Sequence, residues 1–123
     1  MVSERSGPTL PGFLRTAVDA LEAHKARDLV VLDLRGLCDA TDFFIIATGT
    51  SDTHVRALAE SVVEELRLGG ERPHHIEGLS GGRWVLLDFV DVVVHVFHPS
   101  LREFYQLERL WADAPAVSTG TSR

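Results

Sequence analysis

Apolar residues recur at helical spacing in two stretches of the chain. Within residues 14–21 they fall at positions i, i+3, i+4 and i+7, and residues 55–66 keep the same spacing. The segment Thr48–Asp52 supplies capping residues before the second stretch, and Gly69-Gly70 follows it as a stop signal. The pattern therefore predicts two helices, each with one buried stripe.

Shorter apolar runs predict strands between and after these helices. Leu29–Leu34 and Asp42–Thr48 are β-branched and aromatic without alternation, which is typical of central strands covered on both faces. Three further strands are predicted at His75–Glu77, Trp84–Asp88 and Val92–Phe97. Because only Phe89–Asp91 separates the last two, they are expected to form a hairpin.

A third helix is predicted after Pro99, where Ser100 and Glu103 have the spacing of a capping box, and it should run to about Trp111. Its apolar residues cover an arc of about 220°, wider than one contact with a sheet needs. Some of its large side chains, Tyr105 among them, should therefore remain exposed for a partner. The alternative is that they complete a thin core.

The predicted order is α-β-β-α-β-β-β-α, an α/β class with a single domain. A chain of 123 residues has room for one modest core. The domain is expected to span residues 10–112, between a flexible N-terminus at 1–9 and a flexible tail at 113–123.

Charge and cysteine content narrow the function classes. The formal net charge is −6, which opposes direct binding to nucleic acid and favours a basic protein as partner. Cys38 is the only cysteine, so no internal disulfide is expected and a reducing compartment fits. No apolar run reaches the roughly 18 residues of a membrane span. The expectation is a cytoplasmic protein without membrane contact.

Candidate chemistry is weak throughout the sequence. Residues 49–54 place Ser, Asp and His at a strand-to-helix junction, but these residue types are expected there as caps. Asp88 and Asp91 could form a magnesium-binding carboxylate pair, or they could be turn residues. His95 and His98 point to opposite faces of a regular strand and cannot share a metal. We therefore expect no catalytic set, no metal site and no cofactor.

Three sequence blocks, taken together, resemble the ribosomal silencing factor family, also called Iojap-like. They are Thr41–Ser51 with His54, Trp84–Phe97, and Arg102–Trp111. Glu77-Gly78 adds a smaller match. The likeness spans about residues 13–111 in a single register, so the combination is more specific than any block alone.

The resemblance implies a mixed five-stranded sheet flanked by helices, related to the nucleotidyltransferase fold but without its catalytic carboxylates. It implies binding to the large ribosomal subunit through ribosomal protein fourteen, which blocks joining of the small subunit and lowers translation when nutrients are limiting. By matched position, the contact surface should include Trp84, Phe89 and Tyr105, with Asp88 and Asp91 as acidic neighbours.

Two further expectations accompany the resemblance. An exposed apolar patch predicts a homodimer of the free protein, because such a patch is hidden between encounters. The rival interpretation is a magnesium-dependent nucleotide-binding or nucleotidyl-transferring enzyme that uses Asp88 and Asp91.

Overall fold

The computed structural model describes residues 12–37 and 39–101. Its elements are α1 (Gly12–Ala23), β1 (Arg27–Asp33), β2 (Phe43–Thr48), α2 (Asp52–Leu68), β3 (His75–Glu77), β4 (Trp84–Asp88) and β5 (Val92–Phe97). All seven agree in kind and order with the prediction. Residues 99–101 are helical, and the remainder of the predicted third helix, with Tyr105, lies outside the described residues.

The five strands form one mixed sheet in the order β1-β2-β5-β4-β3. β2 and β5 are parallel, and the other neighbouring pairs are antiparallel. A parallel pair needs a long crossover connection, and α2 lies within the one that links β2 to β5. The mixed five-stranded sheet flanked by helices, in one small domain, is confirmed.

The expectation that both β1 and β2 are central strands was wrong for β1. β2 pairs with β5 on its other side, which leaves β1 at the edge of the sheet. The register of β1 against β2 shifts between Arg27 and Val30, and the first two residues of β1 are exposed. An apolar run of this length does not by itself distinguish an edge strand from a central one.

Each face of the sheet carries its own apolar cluster. The larger cluster lies between the sheet and the two helices, with Leu21, Ile45, Leu58 and Val94 fully buried. The opposite face carries a smaller cluster in which Trp84 and Phe44 pack around a buried centre. That centre consists of Leu32, Leu34, Ile46 and Phe97.

The helical turn after β5 begins differently from the capping box that the sequence predicts. Pro99 and Ser100 are already helical, so Ser100 is not the residue that precedes the helix. The Ser100 backbone N–H instead donates to Nδ1 of His98 at 3.3 Å, and the Ser100 hydroxyl accepts from Arg83. The His98 imidazole therefore takes the capping role, because its Nδ1 reaches the free amide two residues on.

Candidate functional site

The β4–β5 hairpin carries four of the five predicted contact residues, but it divides them between two faces. Trp84, Leu86 and Asp88 alternate onto the face opposite the helices, since side chains alternate along a strand. Val85 and Leu87 point into the helix-covered core. Trp84 and Asp88 share a face and lie about 13 Å apart, four residues at roughly 3.3 Å each.

Phe89 lies on the other side from Trp84. Its side chain is only 6% exposed, belongs to the helix-covered core, and lies 6.4 Å from the Phe13 ring of α1, centroid to centroid. The Phe89 ring, which was expected to be exposed at the hairpin tip, is therefore covered by α1. Phe89 supports the turn from beneath and does not present its ring at the surface.

Trp84 is half-buried and held in place by aromatic neighbours on the same face. Its ring centroid lies 5.0 Å from that of Phe97 and 6.1 Å from that of His95. Its indole Nε1–H donates to Nδ1 of His95 at 3.2 Å. Phe44 closes the group with an edge-on contact to His95 at 4.7 Å. The indole is thus oriented by a hydrogen bond as well as by packing.

His95 is a buried neutral imidazole. It is 5% exposed, and desolvation by burial lowers its pKa to about 4. The indole N–H is only a donor, so Nδ1 of His95 must be the acceptor and the ring proton must lie on Nε2. Nε2 of His95 is buried, and no hydrogen-bond partner for it is found among residues 12–37 and 39–101. The sequence pattern suggests His95 only as a candidate metal ligand, because its position next to the Trp84 indole depends on the strand register.

The turn between β4 and β5 is tightly constrained. The Asp91 backbone N–H donates to the Phe89 carbonyl at 2.9 Å, and Val90 between them has φ of 74°. This is the geometry of a classic γ-turn, which is rare and strained. Oδ1 of Asp88 accepts from the Val90 backbone N–H at 2.8 Å. A β-branched residue at positive φ costs on the order of 1–2 kcal/mol.

The backbone of this turn is joined to the loop between β1 and β2. The Asp91 carbonyl accepts from the backbone N–H groups of Asp42 and Phe43, both at 3.0 Å. The two loops therefore form one end of the sheet and are held together by main-chain bonds. Trp84 begins β4 at the opposite end.

The two carboxylates of the rival enzyme interpretation behave as turn residues in this structure. Asp88 is half-buried and caps Val90, whereas Asp91 is exposed and bonds the neighbouring loop through its backbone. Among the described residues, no three His, Cys, Asp or Glu side chains are grouped to hold a metal ion.

The junction at residues 49–54 is built as a helix cap. Oγ of Ser51 accepts from the His54 backbone N–H at 3.1 Å, which confirms the capping interpretation. Nδ1 of His54 accepts from the Thr50 backbone N–H at 2.8 Å, and its Nε2–H donates to the His24 carbonyl at 2.8 Å. Nδ1 of His54 thus holds the loop before α2, and Nε2 joins the start of α2 to the residue that follows α1.

None of the helices within residues 12–37 and 39–101 combines the length and apolar character needed to cross a membrane.

The chain is similar to known proteins over most of its length. Residues 8–123 match a family model described as "Ribosomal silencing factor during starvation". The chain is 42% identical over 105 residues to a protein of Halalkalibacterium halodurans named "Ribosomal silencing factor RsfS", covering 85% of this chain and 90% of the relative. It is 34% identical over 97 residues to mouse "Mitochondrial assembly of ribosomal large subunit protein 1", covering 76% of this chain and 42% of the relative.

A solved structure of similar sequence has the same fold. A crystal structure of a protein from Chromobacterium violaceum superposes with a TM-score of 0.79 at 41% sequence identity, covering 81% of this chain and 83% of that one.

Proposed function

Since the chain belongs to the ribosomal silencing factor family, a family of ribosome-associated translation regulators, we propose that it represses translation by binding the large ribosomal subunit. The bound protein contacts ribosomal protein fourteen and occupies space that the small subunit needs for joining. Repression then needs no chemistry, because a 13.5 kDa domain at the joining face excludes the other subunit by volume. In this proposal the protein acts in the cytoplasm, when nutrients are limiting.

The observation that carries the proposal is the half-buried Trp84 on the face of the sheet opposite the helices. Trp is among the residues that contribute most to binding at protein interfaces, where a fixed orientation lowers the entropy lost on docking. Packing against Phe97 and the hydrogen bond to His95 provide that orientation before any partner arrives. Asp88 on the same face adds negative charge to the surface.

The acidic balance of the chain supports a protein contact within the ribosome. With a net charge of −6, the domain gains little from releasing counterions of RNA, whereas basic ribosomal proteins attract it. We therefore assign recognition to protein surface and expect no direct readout of nucleic acid.

The proposed contact surface contains Trp84, Asp88 and Asp91. Phe89 contributes indirectly, because its buried ring fixes the turn that carries the two carboxylates. Tyr105 stays a predicted contact residue, although it lies outside the described residues. Association of two copies through the same apolar surface, in competition with the ribosome, remains part of the proposal.

The experiment that tests the function is sedimentation of the purified protein with separated ribosomal subunits. We expect comigration with the large subunit and none with the small subunit. Adding the missing subunit should then give fewer joined ribosomes than in a reaction without the protein. Comigration with neither subunit at low and moderate salt would overturn the proposal.

A second measurement addresses the rival enzyme. Calorimetry with ATP and magnesium is expected to show no heat of binding and no change in melting temperature, because Asp88 already serves as a turn cap. Magnesium-dependent binding that is lost in Asp88→Asn would favour the enzyme instead.

A further inference from the structure

Two of the large apolar side chains that the structure leaves exposed lie at the same end of the sheet. Val90 is 54% exposed in the β4–β5 turn, and Leu37 is 47% exposed in the β1–β2 loop. The third such side chain among the described residues is Leu68, the last residue of α2 in the helix layer. Packing within the described part of the chain therefore leaves about half of each of these two side chains exposed to solvent.

Both side chains are held on constrained turns. The Leu37 backbone N–H donates to the Leu34 carbonyl at 2.9 Å, and Gly36 before it has φ of 85°. This is the pattern of a type II turn, in which glycine supplies the positive φ. Asp42 connects the two turns, because its carbonyl accepts from the Leu34 backbone N–H at 2.7 Å and its own N–H donates to the Asp91 carbonyl at 3.0 Å. The apolar pair is therefore presented on a rigid support, which lowers the entropy lost on binding.

Val90 occupies a position where its residue type has no local advantage. Glycine or asparagine fits a φ of 74° better than a β-branched residue does, and the exposed isopropyl group gains little from burial in the free protein. A strained backbone position that also exposes an apolar side chain is characteristic of a binding surface.

The two loops that carry Leu37 and Val90 are rich in aspartate. Residues 33–42 and 88–91 together contain five aspartates and one basic residue, Arg35. Arg35 is already neutralised, because its guanidinium forms a two-pronged ion pair with Asp33 at 2.7 and 2.9 Å. The charge of Asp42 also contributes to the raised pKa of Arg35, and with five aspartates and one arginine the two loops carry a formal net charge of −4. We call the surface formed by the two loops the acidic end, and its residues are Leu37, Asp39, Asp42, Asp88, Val90 and Asp91.

We propose that the acidic end is a docking surface for a basic protein surface, with Leu37 and Val90 as apolar anchors beside the carboxylates of the same two loops. This proposal rests on the proposed function and extends its contact beyond Trp84 to the β1–β2 loop. The apolar pair gives affinity once water is excluded, and the carboxylates select a partner rich in lysine and arginine. The partner in this assignment is the basic protein part of the large ribosomal subunit.

The test measures binding of purified large ribosomal subunits to the full chain and to a double variant, Leu37→Ser with Val90→Asn. Asparagine tolerates positive φ, so the turn at position 90 is preserved while its apolar group is lost. We expect binding to weaken by about tenfold or more, which is typical of removing an interface anchor. The melting temperature should stay within a few degrees of that of the wild-type protein.

Leu68→Ser is the matched control, since it also replaces an exposed apolar side chain. Its binding is expected to stay within about twofold of wild type, the effect of a neutral surface change. Equal losses in Leu68→Ser and the double variant would indicate general surface hydrophobicity and overturn the assignment. So would wild-type affinity in the folded double variant, while the proposed function would still stand. Failure of the wild-type protein to bind large subunits would overturn both.

A second comparison tests the charge requirement. Asp39→Asn with Asp91→Asn removes two exposed carboxylates and spares the Asp91 backbone bonds. We expect about threefold weaker binding at low salt and a shallower dependence on salt than in the wild-type protein. Glu60→Gln, on the exposed side of α2, should change neither quantity. Identical salt dependence in all three proteins would exclude charge selection at the acidic end.

Discussion

The indole Nε1–H of Trp84 donates to Nδ1 of His95 at 3.2 Å, although the two residues are not direct partners across the sheet. Trp84 pairs with Phe97, and His95 pairs with Leu86, so the bond runs diagonally between β4 and β5. A large side chain can span this diagonal on one face of an antiparallel pair. The contact links the predicted partner-binding residue to a buried imidazole and leads to two predictions.

Acidification should destabilise the protein through His95. Burial lowers its pKa from 6.5 to about 4, so the unfolded chain takes up this proton before the folded chain does as the pH falls. The stability present above about pH 6.5 should be lost progressively as the pH falls toward 4. The total decrease in unfolding free energy over this range is on the order of 3 kcal/mol.

The measurement is urea unfolding of the wild-type protein and of His95→Leu at several pH values between 7.5 and 4. Other titrating groups act in both proteins, so the difference between the two curves isolates the imidazole. The wild type should lose stability faster than the variant. Parallel curves across this range would contradict the assigned pKa.

Truncation of Trp84 should affect both stability and binding. Trp84→Ala removes ring packing against Phe97, and because the side chain is only half-buried we expect a loss of about 2 kcal/mol of unfolding free energy. Trp84→Phe keeps much of that packing and loses the hydrogen bond to His95, which should cost about 1 kcal/mol. Urea unfolding gives both values.

Binding of the Trp84 variants is then measured by sedimentation with large subunits, at a temperature where each is folded. Trp84→Ala is expected to bind about tenfold or more weakly, as for an interface anchor. Undiminished binding by the folded Trp84→Ala protein would remove Trp84 from the contact surface.

Replacement of Val90 by glycine should stabilise the domain. Glycine removes the strain of a positive φ of 74°, and little packing is lost because the Val90 side chain is 54% exposed. The strain relieved is expected to outweigh the extra conformational entropy that glycine gives the unfolded chain. The net effect is expected to be about 0.5–1 kcal/mol, seen as a higher urea midpoint. A marked decrease in the midpoint would show that the isopropyl group contributes packing in the free protein.

A side chain at Gly82 should be poorly tolerated. A Cβ there would lie 2.7 Å from the Asp52 carbonyl oxygen and 2.8 Å from Nη1 of Arg56, at a φ of 67°. Because the carbonyl belongs to the first turn of α2, it cannot move without disturbing the helix. We expect Gly82→Ala to lower the unfolding free energy by about 2 kcal/mol or more.

Gly36→Ala serves as the control for Gly82→Ala, since Gly36 also has positive φ but a Cβ there would meet nothing within 4 Å. Gly36→Ala should lower the unfolding free energy only by the cost of holding alanine at positive φ, about 1 kcal/mol. Equal losses in the two variants, measured by urea unfolding, would show that the close approach of the Gly82 loop to α2 has no energetic weight.

Several features were readable from the sequence because their causes are local. The spacing of apolar residues in α2 predicted its buried face, and Ser51 with the glycines at 69–70 marked its ends. The apolar runs at Trp84–Asp88 and Val92–Phe97 matched the observed strands at both ends. The family resemblance was also correct, since it rested on blocks of contiguous residues.

The sequence did not predict which residues are exposed on the contact surface, because exposure depends on the face of the sheet that each side chain occupies. The run from Trp84 to Phe89 is apolar on both faces, so its pattern does not tell which residues lie beneath the helices. Phe89 looked like an exposed tip residue and is buried against Phe13. The exposure of Val90 and Leu37, and the role of His95, were likewise not predicted.

By itself, the sequence determined the class of the domain, the two helices and five strands of the described residues, its acidic character and its family, because these follow from composition and from contacts between near neighbours in the chain. Only the tertiary structure decided that β1 lies at an edge, that Phe89 faces the core, and that Trp84 is held by His95. The reason is physical: strand order and register join residues far apart in sequence, and a shift of one position reverses the face of every side chain in a strand.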